Sequence, residues 1–156
     1  MLLWETRGDP ADPMGSAPFI AVAPDGRVAA YMGDDERGDY IYKFVSRDKM
    51  NPARTREARR QNMRLLRHGT LYVARFNGDG LEDGKYDGTG RWIPLTSDTE
   101  SFVDGMSVAD VLINTRLAAD TVSPTKMDRP EDIEANPVNK KVYCALTNNS
   151  RRGESY

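Results

Sequence analysis

Apolar and polar residues alternate in short runs along most of this chain, and turn residues separate the runs. PFIAVAPDGRVAAYMGDD reads as two strands, Phe19–Ala23 and Arg27–Met32, about the turn Pro24-Asp25-Gly26. Gly accepts positive φ there at no steric cost. YIYKFVS, Tyr40 to Ser46, predicts a third strand, with Tyr40, Tyr42 and Phe44 on one face and Ile41, Lys43 and Val45 on the other. TLYVARFN (Thr70 to Asn77) and RWIPLT (Arg91 to Thr96) predict two more, and Pro94 confines the second to an edge or a bulge. Strands near Asp132–Asn136 and Lys141–Leu146 close the series around a turn at Pro137 to Lys140.

One helix stands out. Ser107 and Asp110 form an S-x-x-D capping box. Val108, Val111, Leu112, Thr115 and Ala119 follow at helical spacing, so a helix is expected over 107–120, ending before Ser123-Pro124. Residues 1–18 are irregular, broken by Gly8, Pro10, Pro13 and Gly15. Residues 47–68 form a basic insertion, in which Pro52 suits the first position of a helix. Its apolar face is weak (Ala58, Met63, Leu65, Leu66), which predicts an exposed helix or a mobile excursion. The fold class is therefore mainly β, a meander of about seven strands with one α-helix. That is about two blades of a β-propeller, or part of a sandwich. Residues 19–156 form the partial β domain.

Composition narrows the function. The chain has 156 residues, 38% of them hydrophobic, which is a thin core for a standalone globule. A net charge of −2 with mixed signs argues against a generic nucleic-acid binder. The local exception is Arg54 to Arg67, with six Arg and one Glu. No apolar run is long enough to span a membrane. The first fifteen residues lack the apolar core of a signal peptide. Cys144 is the single cysteine, expected as a buried thiol in its strand, and His68 is the single histidine, expected at the surface. Oligomeric state is not readable from the sequence.

Two charged stretches are candidates for chemistry. The turn Gly33-Asp34-Asp35-Glu36-Arg37-Gly38-Asp39 holds four carboxylates. It reads either as a solvated hairpin turn or as a metal-binding turn with Asp35 or Glu36 turned inward. TKMDRPED, Thr125 to Asp132, reads either as a polar connector, with Arg129 paired to Asp128 or Asp132, or as a binding edge. Pro130 should push Arg129 toward extended backbone. Arg129 then offers a planar charged fork to a phosphate, and Glu131 an oxygen to a hard metal. The Gly-rich NGDGLEDGKYDGTG is expected to be an ordinary flexible loop.

Six stretches taken in order, YMGDDERGDYIYKFVS, GTLYVARFN, GRWIPL, DVLINTRLAAD, TKMDRPEDIEANP and KVYCALTNNSRRG, resemble the PhoX-family alkaline phosphatases. The resemblance runs from about Phe19 to Gly153. It implies an exported phosphate monoesterase, periplasmic or extracellular, built on a β-propeller with iron and calcium in its central channel. It also implies that this chain is an internal fragment, inactive alone for want of metal ligands. On that reading Arg129 holds the substrate phosphate, Glu131 ligates the metal cluster, Glu36 is a calcium ligand of the same cluster beside Asp35, and the two charged stretches meet at one mouth of the channel. The chain departs from the family pattern at Ser16-Ala17-Pro18, where a His-Glu pair is usual, and at Asp132, where an aromatic residue is common. Cys144 does not correspond to the family's iron-ligating cysteine. The competing reading is a non-catalytic β-sheet module that binds calcium or protein.

Overall fold

The computed structural model describes residues 19–78, 83–85, 87–136, 138–139 and 141–148. Five antiparallel strands form a meander in chain order: β1 (Phe19–Val22), β2 (Arg27–Gly33), β3 (Ile41–Lys49), β4 (Gly69–Gly78) and β5 (Gly88–Ser97). A second, two-stranded sheet pairs β6 (Pro130–Ala135) with β7 (Val142–Leu146). All seven expected strands are present, each within a few residues of its predicted bounds. The fold is mainly β with antiparallel sheets; the 1–18 segment and parts of the Gly-rich stretch and of the Pro137 to Lys140 turn lie outside the described residues.

Each face of the meander has its own cover. Tyr42 and Phe44 point to one side, as the period-2 pattern requires, and join Tyr40, Met32, Leu71, Val73 and Leu95 in the larger core. Two short helices, α1 (Val108–Ile113) and α2 (Thr115–Asp120), lie on that side and contribute Val111, Ala118 and Ala119. Ile41 and Ala74 join a smaller core with Met127 and Ile133, against which Tyr31, Trp92 and Cys144 pack. The single helix expected over 107–120 is thus two. The capping box at Ser107 and Asp110 forms as predicted, but Asn114 leaves helical geometry at φ −116° and ψ 46°.

The basic insertion is ordered. Its helix α3 (Arg56–Asn62) starts four residues after Pro52, because Thr55 Oγ1 caps it by accepting from the Ala58 N–H at 3.1 Å. A short 3-10 turn, Leu65–Arg67, follows. Pro94 sits in the edge strand β5, next to an irregularity where Leu95 has no opposite number on β4. Cys144 is half-buried and free, and burial pushes its thiol up to about 11, with Asp132 adding to the rise. His68 is exposed, its Nδ1 3.0 Å from Asp98 Oδ2.

β6 approaches the end of β2 so closely that only glycine fits there. A Cβ on Gly33 would lie 2.2 Å from the Pro130 carbonyl oxygen. This contact sets the position of the two charged loops that follow β2 and precede β6.

Candidate functional site

The acidic turn and the TKMDRPED segment, about ninety residues apart in sequence, are laced together by backbone hydrogen bonds. The Gly38 N–H donates to the Met127 carbonyl at 2.9 Å, and the Met127 N–H donates to the Asp39 carbonyl at 2.8 Å. Arg37 and Asp128 form an isolated antiparallel bridge. The Thr147 N–H, just past β7, donates to the Asp128 carbonyl at 3.1 Å. Three loops from two sheets therefore share one fixed backbone frame.

Arg129 projects from this frame. Its Nη2 donates to Asp35 Oδ2 at 3.1 Å, and its Nε lies 3.1 Å from Asp35 Oδ1. Glu131 Oε1 is 3.7 Å from Nη2 and accepts from the Thr147 hydroxyl at 2.8 Å. All three charged side chains are partly shielded, Arg129 being 35% exposed and Asp35 24%. Burial pushes the Asp35 carboxyl up; the Arg129 guanidinium pulls the other way, and the Glu131 carboxylate adds to the rise.

The backbone at Arg129 differs from the sequence expectation. Its φ is +56°, in the left-handed region, although it precedes a proline. Such a conformation costs about 1–3 kcal/mol and persists only where the surroundings over-determine it. Here they do: Pro130 is buried, the Met127 hydrogen bonds fix the loop, and Asp35 holds the guanidinium. The guanidinium therefore reaches Asp35 across the fold as well as Glu131 beside it.

Of the two acidic candidates, Asp35 turns inward and Glu36 is exposed, with its Oε1 accepting from the Arg37 N–H at 2.7 Å. Asp35 Oδ1 is buried without an aligned hydrogen-bond donor, and the buried Nε of Arg37 lacks an acceptor. The Asp35 oxygen is ion-paired with the Arg129 Nε but not hydrogen-bonded, so it keeps acceptor capacity for a cation or a polar ligand. Yet among the described residues no three His, Cys, Asp or Glu side chains converge on a point that would hold a metal ion. Asp35, Glu36 and Glu131 by themselves do not make a metal site, and a metal would need ligands from outside them.

A second polar group lies behind the acidic turn. Asp39 is 1% exposed, and Arg116 of α2 brings its Nε to 2.7 Å from Asp39 Oδ1. Burial raises the Asp39 carboxyl to about 7; Asp34 adds to the rise and Arg116 opposes it. Asp34 is raised for the same leading reason. The Tyr40 hydroxyl donates to Asp120 Oδ1 at 2.5 Å, tying the end of α2 to the sheet. Arg116 and Asp120 went unnoticed in the sequence because they occupy the polar positions of an amphipathic helix, where a solvated face is the usual outcome. The Asp-rich turn was the only signal that a buried counter-charge was needed.

The arrangement is that of a mainly antiparallel β protein with an arginine–carboxylate cluster where its two sheets meet. The family pattern of alkaline phosphatase PhoX matches residues 17–155, and the chain belongs to that family. The solved structure of Pseudomonas fluorescens PhoX in complex with vanadate, a transition state analogue, is similar, with a TM-score of 0.77 and 48% sequence identity. The similarity covers 90% of this chain and 24% of that one, so the chain spans about a quarter of the length of that relative. None of the curated proteins compared matches it.

Proposed function

We propose that this chain supplies one wall of the phosphate-binding centre of a metal-dependent phosphomonoesterase, and that Arg129 is its phosphate-binding residue. The observation that carries the reading is the Arg129 guanidinium, held by Asp35 and bordered by Glu131 in a strained, fixed loop. A planar fork fixed before the ligand arrives suits the oxygens of a phosphoryl group. Charge that grows on those oxygens during transfer is stabilised most by a donor that does not have to reorganise. Family membership supports the reaction class, and the vanadate bound by the Pseudomonas fluorescens relative supports phosphoryl chemistry in that protein.

The propeller, the export, and the calcium and iron expected from the resemblance belong to this proposal. Bound metals would supply charge neutralisation and an activated oxygen nucleophile. Glu131, Glu36 and Asp35 are the carboxylates this chain can lend to them. With no three ligands converging among the described residues, the chain alone is expected to be inactive.

The test compares the protein expressed from its full reading frame with residues 1–156 alone, on p-nitrophenyl phosphate with calcium and iron supplied. The full protein should turn over, and Arg129→Ala should lower kcat/KM by roughly a hundredfold or more. Robust turnover by residues 1–156 alone would refute the incompleteness. A full protein that is folded and inactive would favour the calcium- or protein-binding module instead.

A further inference from the structure

The ordered basic insertion belongs to neither the sheet cores nor the phosphate cluster. All six arginines between Arg54 and Arg67 are exposed. Among the described residues none of the six has a carboxylate partner, while the rest of the chain is distinctly acidic. The insertion is a built element rather than a loose charged run. Ala58 and Leu65 are buried beneath it. Asn51 and Asn62 exchange two hydrogen bonds, each 2.9 Å long, and Asn51 Nδ2 donates to Gln61 at 2.7 Å.

Its outer face has a definite pattern. Arg56, Arg60 and Met63 recur at positions i, i+4 and i+7, so they share one face of α3. Met63 is 78% exposed, and Leu66 in the following turn is 40% exposed. Beside this face, Arg54, Arg59 and Met63 line an open recess of about 480 Å³. Guanidinium groups interleaved with exposed, flexible apolar side chains fit a surface that is anionic outside and apolar just beneath. A single-stranded nucleic acid would be expected to meet aromatic side chains for base stacking, and Arg54 to Arg67 contains none.

We infer that α3 and the turn after it form a docking surface for an anionic phospholipid membrane, with the arginines on the headgroups and Met63 and Leu66 in the acyl boundary. The phosphate cluster lies at the Ile41 end of β3 and the insertion at the Lys49 end. At about 3.3 Å per residue the strand separates them by roughly 26 Å. The inference uses no residue of the phosphatase reading.

The experiment is vesicle co-sedimentation of the protein from its full reading frame. Phosphatidylcholine vesicles are compared with vesicles containing about one-third phosphatidylglycerol, a composition chosen for strong surface charge. Binding should require the anionic lipid and weaken with salt. Each arginine near the surface is worth about fivefold, so replacing Arg56, Arg60 and Arg64 together by Gln should lower the binding constant roughly a hundredfold. Arg60→Gln alone should give about fivefold and guards against misfolding of the triple variant, which a melting curve would reveal. Met63→Ser should also cost about fivefold. Equal binding to both vesicle types overturns the inference, as does binding that survives the triple substitution. So does tight binding to a single-stranded oligonucleotide together with an inert Met63→Ser, which would make the surface a general polyanion site.

Discussion

Arg129 and Asp35, ninety-four positions apart, meet in a two-point contact: Nη2 donates to Oδ2 at 3.1 Å, and Nε stands 3.1 Å from Oδ1. Asp35 thereby fixes the plane of the guanidinium while leaving its own Oδ1 without an aligned donor. If the plane matters for phosphate, Asp35→Asn should weaken inhibition of the full protein by inorganic phosphate about tenfold, since one charge-assisted hydrogen bond is worth about 1.5–3 kcal/mol. The melting temperature should fall by a few degrees as well, because the same bond helps hold the strained backbone at Arg129. An unchanged inhibition constant would sink the positioning role.

Arg129→Lys tests the fork itself. A lysine keeps the charge but offers a point donor on a flexible stem and cannot span both Asp35 oxygens. We expect kcat/KM for p-nitrophenyl phosphate to fall about tenfold or more in the full protein, though the charge is unchanged. Activity equal to the parent would mean that charge alone suffices.

Gly33 makes the junction possible, because a Cβ there would meet the Pro130 carbonyl at 2.2 Å. The obstacle is backbone, so it cannot rotate away. Gly33→Ala should therefore destabilise by about 1–3 kcal/mol, the usual cost of overpacking, and should lower phosphatase activity because β6 carries Glu131. Thermal melting together with turnover checks both. A variant as stable as the parent would show that β6 can retreat freely.

The strands were legible because each carries its own period and each turn its own chemistry. YIYKFVS needed no partner to be read, and PDG needed none either. The long-range contacts were not legible. Nothing near Asp35 announces Arg129, and nothing near Asp39 announces Arg116. The extended backbone expected of Arg129 is a local rule that the tertiary frame overrides. The break at Asn114 escaped notice because the apolar spacing continues across it, from Val111 to Thr115. Arg129, Glu131 and the acidic turn can be nominated by residue type, but only the family resemblance, and no local pattern, predicts their meeting.

The capping box offers a local test. Ser107 Oγ accepts from the Asp110 N–H at 3.2 Å, and the Ser107 N–H donates to Asp110 Oδ2 at 2.9 Å. The Ser107 hydroxyl, which donates to Asp110 Oδ2 at 2.6 Å, and the Ser107 N–H together hold the Asp110 carboxyl below its ordinary range. Ser107→Ala removes the side-chain half of the box and should cost about 1 kcal/mol of stability. Chemical denaturation would measure it, and a loss of zero would mean that α1 is held by packing on Leu95 and Val103 alone.

Asp39 predicts how stability depends on pH. Its carboxyl is raised from 3.8 to about 7 in the fold, chiefly by burial. The folded state therefore binds this proton more tightly than the unfolded state does. The contribution to stability is complete below about pH 3.8 and is lost as pH rises through about 7. Asp34, raised in the same direction, adds to the slope. Between pH 4 and 7 the pair should thus oppose the stabilisation that other carboxylates gain on ionising. Asn at position 39 keeps an oxygen facing Arg116 but cannot ionise. Asp39→Asn should therefore make the melting temperature rise more steeply, or fall less, across that window than in the parent. Melting curves in a series of buffers from pH 4 to 8 would show the difference, and superimposable pH profiles would mean that Arg116 keeps Asp39 ionised throughout.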